Sequence, residues 1–412
     1  MKQLGIYIHI PFCKDKCYYC DFVSFKNMEQ KANKYVECLI KEIESKDWNE
    51  INKNYKVTTI YIGGGTPSYI DFKYIVRILE VLHYLDKKDI EITIEVNPGT
   101  VNKEKLIAYK NAGVNRLSIG LQSTNNEILK QIGRIHTFEQ FLETYKLAKE
   151  AGFENINIDL MLALPNQTIE DLKQSIEKVV ELNPNHISVY SLILEEGTKL
   201  YNLVENGKAK LPDEETERQM YWYVKNKLEL AGYTHYEISN FAKKGKESKH
   251  NMNCWNQEEY LGFGIAAHSY LESINFNKAY NFQKKDNTAE DKKMLRFSNT
   301  ENLDEYISNI SKIEEKGLKD DEIQNQINKN IEIHEFQTLE EKKKEYMLLG
   351  LRKIEGVSIS KFKEKFVDNP IYLFRKELQK LTEEELIEID GDFIKLTSKG
   401  LDFANIVWEE FV

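Results

Sequence analysis

Ile6-Tyr7-Ile8-His9-Ile10-Pro11-Phe12-Cys13-Lys14-Asp15-Lys16-Cys17-Tyr18-Tyr19-Cys20-Asp21-Phe22 is the stretch that decides the reading of this chain. An apolar, β-branched run enters a loop that spaces three of the chain's five cysteines as C-x3-C-x2-C. Such a loop suits a zinc site short of one ligand, disulfides with a thiol left over, or an iron–sulfur cluster with one open iron. Structural zinc wants four ligands, and its cysteine knuckles come in pairs. Here the other thiols, Cys38 and Cys254, stand alone. A disulfide framework belongs to small secreted chains, and a chain of 412 residues is not small. Clusters usually take four thiolates, so three would leave one iron for a further ligand. The iron–sulfur reading is the strongest of the three.

The length allows a substantial core and two or three domains. With 57 basic and 67 acidic residues the net charge is −10, which disfavours nucleic acid as a general partner. The first residues lack signal-peptide architecture, and no apolar run approaches the roughly 18 residues of a membrane span. A cytoplasmic protein with no transmembrane segment is expected, and peripheral contact with a membrane is left open. Free thiols also call for a reducing compartment.

Outward from the loop, short β-branched runs alternate with amphipathic segments. Strands are predicted at Ile6–Ile10, Thr58–Ile62, Glu91–Val96, Arg116–Leu121, Asn155–Leu162 and His186–Ile193, with helical segments near 29–46, 71–85, 103–111, 124–150, 168–182 and 214–231. Six strand–helix units predict an α/β fold, a partial (β/α)6 barrel. In barrels the chemistry sits at the carboxyl ends of the strands. Those ends carry the three cysteines, then Gly63-Gly64-Gly65-Thr66-Pro67, then Glu95-Val96-Asn97-Pro98, then Gln122 with Arg134 and His136 beyond it, then Asp159. A phosphate loop is disfavoured because no Gly-Lys-Ser/Thr follows the glycines.

The cysteine spacing, with Tyr19 at the aromatic position before Cys20, resembles the signature of the radical S-adenosylmethionine (SAM) superfamily. The resemblance implies that Cys13, Cys17 and Cys20 hold a [4Fe–4S] cluster and that SAM chelates its fourth iron. Longer strings narrow the match. Tyr7 through Cys13, Gly63 through Ser68, Glu95 through Gly99, Leu117 through Ser123, Ile158 through Met161 with Leu164-Pro165, and Gly262-Phe263-Gly264 with Ala267-His268-Ser269 resemble the oxygen-independent coproporphyrinogen III oxidase family. By motif, its SAM contacts map onto Tyr7, Tyr19, Gly64, Gly65, Thr66, Glu95, Gln122, Arg134, Asp159 and Ile193. A cationic sulfonium with an amino group would pair the carboxylates, and Arg134 would meet the SAM carboxylate. Ala163 and Asn166 depart from the family, where glycines are common, as does Ile265-Ala266.

The family has an oxidase branch, which decarboxylates coproporphyrinogen III, and a heme-chaperone branch, HemW. The oxidase has a further cysteine two residues after the triplet, and here Phe22 fills that place. It also has a long amino-terminal extension, whereas Cys13 follows a single strand. His250-Asn251-Met252-Asn253-Cys254-Trp255 resembles the H-N-x-x-Y-W heme motif of HemW, with Cys254 in place of the tyrosine. These features favour the chaperone branch. They imply heme binding at His250 and Cys254 and transfer of heme to target proteins. His250 falls in a polar, loop-like stretch, 243–253, and is expected near the barrel mouth. An electron donor such as flavodoxin or ferredoxin is implied, and whether the chain is an enzyme stays open. Coproporphyrinogen oxidation and radical methyl transfer are the alternatives.

A poorly periodic stretch, Asn275 to Thr300, reads as a linker or cover loop. Beyond it come helices near Lys342–Arg352, Ser360–Phe366 and Ile371–Glu384, then a hairpin about Asp390-Gly391. This is a winged-helix-like pattern. From Ile371 to Glu388 three basic residues face five acidic ones, a net of −2 that phosphate would repel. The expected domains are 1–235 (radical SAM partial barrel), 236–300 (extension with the heme motif) and 301–412 (helical, winged-helix-like).

Overall fold

A computed structural model describes residues 1–280, 293–316 and 320–412. Twelve strands form one sheet: β1 (Lys2–Ile10), β2 (Tyr55–Gly64), β3 (Glu91–Val96), β4 (Arg116–Gln122), β5 (Asn155–Leu162), β6 (His186–Ser191), β7 (Thr234–Glu237), β8 (Asn240–Ala242), β9 (Glu259–Phe263), β10 (His268–Glu272), β11 (Met294–Asn299) and β12 (Ile331–Gln337). Their order is β12-β11-β10-β9-β1-β2-β3-β4-β5-β6-β8-β7. The run from β9 through β1 to β6 is parallel, and the pairs beyond it on both sides are antiparallel. All six expected strands exist. β9 adds a seventh parallel one that Gly262-Phe263-Gly264 had not suggested.

Alternation sorts the barrel into two faces. In β1 Leu4, Ile6, Ile8 and Ile10 are fully buried in the hydrophobic core with Tyr35, Leu39 and Ile78 of the surrounding helices. Gly5, Tyr7 and His9 take the inward register beside Thr59, Tyr61 and Gly63 of β2. The interior is polar, so the apolar layer lies between sheet and helices.

The segment expected to be one helix over 124–150 is two, Asn126–Gln131 and Phe138–Glu150. Gly133 breaks it at φ +75, and a Cβ there would come within 2.4 Å of the Tyr18 ring. The break turns Arg134 toward the barrel. The second helix restarts on a Thr137–Gln140 capping box.

The stretch Asn275–Thr300 is not simply a linker. It holds most of the helix Ser273–Ala279 and all of β11, while residues 281–292 lie outside the described ones. Because β12 pairs with β11, the main sheet continues past residue 300. At the carboxyl end, β13 (Val357–Ser358), β14 (Ile387–Asp390) and β15 (Phe393–Leu396) form a three-stranded sheet, β13-β15-β14. Helices pack on it around Met347, Phe362, Leu381 and Val407 in a second, separate core. The expected helix Ile371–Glu384 is interrupted at Phe374 into Pro370–Leu373 and Arg375–Glu383.

Candidate functional site

The cysteine loop is pinned from two sides by backbone hydrogen bonds. Gly65 and Thr66 donate to Ile10 and Phe12 (both 2.9 Å), and Phe25 donates to Pro11 (2.7 Å). Across the mouth, Tyr18 donates to Ile132 (3.0 Å) and Leu200 donates to Tyr18 (2.7 Å). The loop therefore lies over the carboxyl ends of the strands and cannot swing away without breaking sheet contacts. Cys13, Cys17 and Cys20 are free thiols on the wall of one cavity of about 370 Å³. Burial pushes the Cys20 thiol up to about 11 and raises that of Cys13. Among the described residues no three His, Cys, Asp or Glu converge on a single metal ion. In a cubane each thiolate binds a different iron, so convergence on one point is not required.

The same cavity is lined by Tyr19, Gly64, Gly65, Thr66, Glu95, Gln122, Arg134 and Asp159. A Cβ on Gly65 would stand 3.0 Å from Cys13 Sγ, and one on Gly64 (φ +110) would strike the His9 ring at 2.6 Å. Backbone alone fits between loop and strand. Arg134 Nη1 donates to Cys17 Sγ (3.4 Å), while Nη2 donates to Asn97 Oδ1 and to the Gly120 carbonyl (both 2.7 Å). Asn97 Nδ2 donates to Thr66 Oγ1, and Thr66 donates to Cys13 Sγ at 3.5 Å. This chain ties three strand ends to the thiols. Burial works against the Arg134 charge, but Cys17 and Tyr19 beside it hold the guanidinium cationic.

Glu95 accepts from Tyr61 Oη (2.9 Å) and from the Gly64 amide (3.2 Å). Burial nevertheless pushes its carboxyl up to about 7, with the Asp159 charge adding to the effect. Asp159 is also raised by burial, against donors from Ser118 (2.9 Å) and Asn157 (2.7 Å) and the Arg116 charge. Gln122 sits at φ +63, where β4 shifts register, and its buried Oε1 has no partner. Strain and an orphaned acceptor at one position mark a ligand-facing residue.

Two residues expected here lie elsewhere. Tyr7 is off the cavity wall, with its hydroxyl 3.0 Å from His9 Nδ1 and its ring stacked on Tyr61 at 6.4 Å. Ile193 lies past the end of β6, which stops at Ser191, and is 69% exposed. Conversely, Tyr61, Asn97, Ser118, Met161, Tyr190 and Phe22 line the cavity without having been expected there as ligand contacts. For Tyr61 and Ser118 the available signal was the two-residue alternation with Gly63 and with Gly120 and Gln122.

His250 is not at the mouth. It occupies the first turn of the helix Lys249–Trp255, and its Nδ1 is 2.9 Å from Thr59 Oγ1. Thr59 lies four residues before Gly63 on β2, roughly 13 Å back along the strand at the usual rise. The imidazole stacks on Tyr61 (5.1 Å), near Gly5. Its backbone amide donates to Glu91 Oε1. Burial, with Arg116 adding to it, pushes the imidazole down to about 4. A polar stretch became a helix because Ser248 caps it, accepting from Asn251 N, and because Asn253 anchors it to Thr58. Cys254 follows one turn later, half-buried, with its thiol raised to about 11 by burial. On this floor of the barrel a basin of about 1230 Å³ is bordered by four lysines (Lys56, Lys88, Lys246, Lys249), four carboxylates and Met252, and it stops short of His250.

The carboxyl-terminal module grips the same helix. The Arg352 guanidinium lies between the rings of Trp255 (4.3 Å) and Trp408 (4.9 Å), and Lys353 donates to Asn256 Oδ1 (2.7 Å). Trp255 is thus held between barrel and module.

Residues 7–179 match the radical SAM superfamily, and residues 337–403 match the HemN C-terminal domain. The heme chaperone HemW of Lactococcus lactis is 37% identical over 417 residues, covering all of this chain and 98% of its own length. That of Bacillus subtilis is 37% identical over 411 residues, with 98% of each chain covered. The chain belongs to the HemW family of radical SAM proteins. The solved coproporphyrinogen III oxidase (HemN) of Escherichia coli covers the whole HemW-family chain and 90% of its own, at a TM-score of 0.76 and 23% identity. The two share a fold. Radical SAM membership implies a [4Fe–4S] cluster and SAM. Three thiols on one wall, two acidic side chains with raised pKa and the orphaned Gln122 acceptor suit that pair in this HemW-family cavity. Among the described residues no helix is long and apolar enough to cross a membrane.

Proposed function

We propose that this chain is a cytoplasmic heme chaperone that carries a [4Fe–4S] cluster on Cys13, Cys17 and Cys20 and binds SAM in the adjoining cavity. It takes up heme through His250 and passes it to target proteins. When bound, the cluster and SAM supply one-electron chemistry at the sulfonium. The chain's own groups orient the ligand. Gly64 and Gly65 admit it, Glu95 and Asp159 receive its cationic and hydroxyl donors, Gln122 meets it with the free acceptor, and Arg134 stays beside Cys17 and Asn97. Tyr7 supports Tyr61 from beside it, and Ile193 belongs to the exposed rim. Flavodoxin or ferredoxin is the class of electron donor.

The observation that carries the heme reading is the setting of His250 within a chain that matches heme chaperones from end to end. If Nδ1 gives its proton to Thr59, Nε2 is left as a neutral ligand atom, the arrangement metal-binding histidines favour. Heme iron accepts such a nitrogen. Cys254, with its thiol held protonated, is the weaker candidate of the pair. Heme would reach His250 from the floor basin. The domains follow as a barrel over 1–235, a segment that carries the motif helix and extends the main sheet to Gln337, and a helical module beyond it that steadies Trp255.

The deciding experiment offers anaerobically reconstituted protein both heme and coproporphyrinogen III. Stable heme binding that weakens at least tenfold in His250→Ala, without release of carbon dioxide, is the expected outcome. Robust decarboxylation would overturn it in favour of the oxidase.

A further inference from the structure

A run of buried hydrogen bonds, with side branches from Asn157 to Ser118 and Ser188, crosses the barrel from Asp159 at the mouth to the motif helix on the floor. Asn157 Nδ2 donates to Asp159 Oδ1 (2.7 Å). That fixes the amide orientation, because a carboxylate only accepts. Asn157 Oδ1 then faces His186 Nδ1 at 2.6 Å, so this nitrogen carries the proton. The other nitrogen, Nε2, is therefore an acceptor, and Tyr236 Oη donates to it at 2.8 Å. The Tyr236 oxygen receives the Ser248 amide at 3.3 Å, and Ser248 is the cap of the helix that bears His250. His186 and Ser248 are fully buried and Asn157 nearly so. Every proton in the run points toward Asp159. The Arg116 guanidinium, 2% exposed, adds its positive charge to the same interior, bearing on Asp159, His186 and Tyr236.

We infer that His186 and Tyr236 are positioning residues that couple the SAM cavity to the heme-motif helix. This rests on the reading that SAM meets Asp159 and heme meets His250. In the SAM-free chain the Asp159 carboxylate draws the run taut and holds the Ser248 cap, and with it His250, against the floor. Donors from SAM compete with Asn157 for the carboxylate. Weakening that bond weakens those behind it, since aligned hydrogen bonds polarise one another. The helix cap loosens and His250 Nε2 becomes accessible to iron. A coupling of this kind commonly changes affinity by about fivefold or more, and it is reciprocal.

The test measures heme affinity of cluster-reconstituted protein with and without SAM, in the unaltered chain and in Tyr236→Phe. Phenylalanine keeps the ring and removes only the hydroxyl. SAM is expected to tighten heme about fivefold in the unaltered chain. Tyr236→Phe should bind heme tightly without SAM and no longer respond to it. A purely structural Tyr236 would weaken heme and leave the SAM response intact, which overturns the inference. Hydrogen exchange of the 249–255 amides is read in parallel without heme. SAM should speed it in the unaltered chain, and Tyr236→Phe should be fast throughout. If exchange responds as expected but no His250-dependent heme binding is found, the heme reading fails and the coupling stands. If exchange ignores SAM, the coupling fails whatever heme does.

Discussion

The two ends of the barrel are built from the same strands and differ in nearly everything else. The mouth, at the carboxyl ends, gathers thiols, carboxylates, glycines and one arginine about an open cavity. The floor, at the amino ends, holds a neutral histidine against a threonine and is closed by a helix and a second module. Backbone strain divides them too. Gly64, Gln122 and Ala163, each at or just past a strand end at the mouth, have positive φ, and Thr59, Arg116, Asn157 and His250 do not. The mouth is poised for a ligand that comes and goes. The floor opens on a basin outside, but His250 itself is packed inward from the motif helix against Thr59.

The sharpest way to break this division is at the thiols. Cys13→Ala, Cys17→Ala and Cys20→Ala should each abolish the visible absorbance of the reconstituted cluster, whereas Cys38→Ala should keep it. Cys38 lies in the core on the helix Ala32–Glu44, 3.8 Å from the Ile307 carbonyl and off the cavity wall. Loss of absorbance in Cys38→Ala alone would show that the mouth is not the cluster site.

Proton linkage separates the ends next. At the mouth, Glu95 titrates near 7 against an ordinary value of 4.5, so the folded chain holds this proton more tightly than the unfolded one. The stability it contributes is full below about 4.5 and is lost as pH rises through 7. A cationic ligand selects the ionised form, so SAM affinity should fall about tenfold per pH unit below 7, and Glu95→Gln should flatten that slope. A slope that survives in Glu95→Gln would assign it to another group.

On the floor the sign is reversed. His250 is pushed down to about 4, so its native form stays neutral while the unfolded imidazole protonates near 6.5. Folding stability drains away as pH falls below 6.5, yet iron meets no competing proton until about 4. The His250-dependent heme spectrum should therefore be constant from pH 8 to 5. A tenfold loss per unit below 6.5 would mean that the ligand is a solvated histidine.

The sequence made the mouth far more legible than the floor, for a physical reason. A parallel barrel places every strand end on one face, so short motifs spaced along the chain converge without any knowledge of packing. That logic reached eleven residues of the cavity wall, from Cys13 to Asp159. It failed for Ile193, because β6 stops two residues early, and for Tyr7, which pairs in register with Tyr61 but turns its hydroxyl to His9 and stays off the cavity wall. His250 had no such rule. Its place depends on contacts with Thr59 and Glu91, more than 150 residues away, and on a helix that Ser248 starts within a polar, lysine-rich segment. The broken helix at Gly133 has a related reason: the residue packed against the break, Tyr18, lies across the mouth.

The smallest effect tests whether strain at the mouth serves the ligand. Gln122 carries a positive φ that costs an L-residue about 1–2 kcal/mol. Its buried acceptor lacks a partner, which costs about 1 kcal/mol more. Gln122→Gly removes both but loses about 0.5–1 kcal/mol to the freedom of glycine in the unfolded chain and about 1.6 kcal/mol with two buried methylenes. The ligand-free variant should therefore stay within about 1 kcal/mol of the unaltered chain in urea unfolding, with an unchanged m-value, while losing SAM affinity. Ala163→Gly supplies the contrast. It sheds a similar strain at φ +59 but gives up a buried methyl worth about 0.8 kcal/mol, so its stability should stay within about 0.5 kcal/mol of the unaltered chain. Lost SAM affinity at near-constant stability in Gln122→Gly, with affinity kept in Ala163→Gly, would place the stored strain on the residue that faces the ligand. Destabilisation of Gln122→Gly by clearly more than about 1 kcal/mol would instead make Gln122 a packing residue, and the mouth would lose its claim to be the strained end.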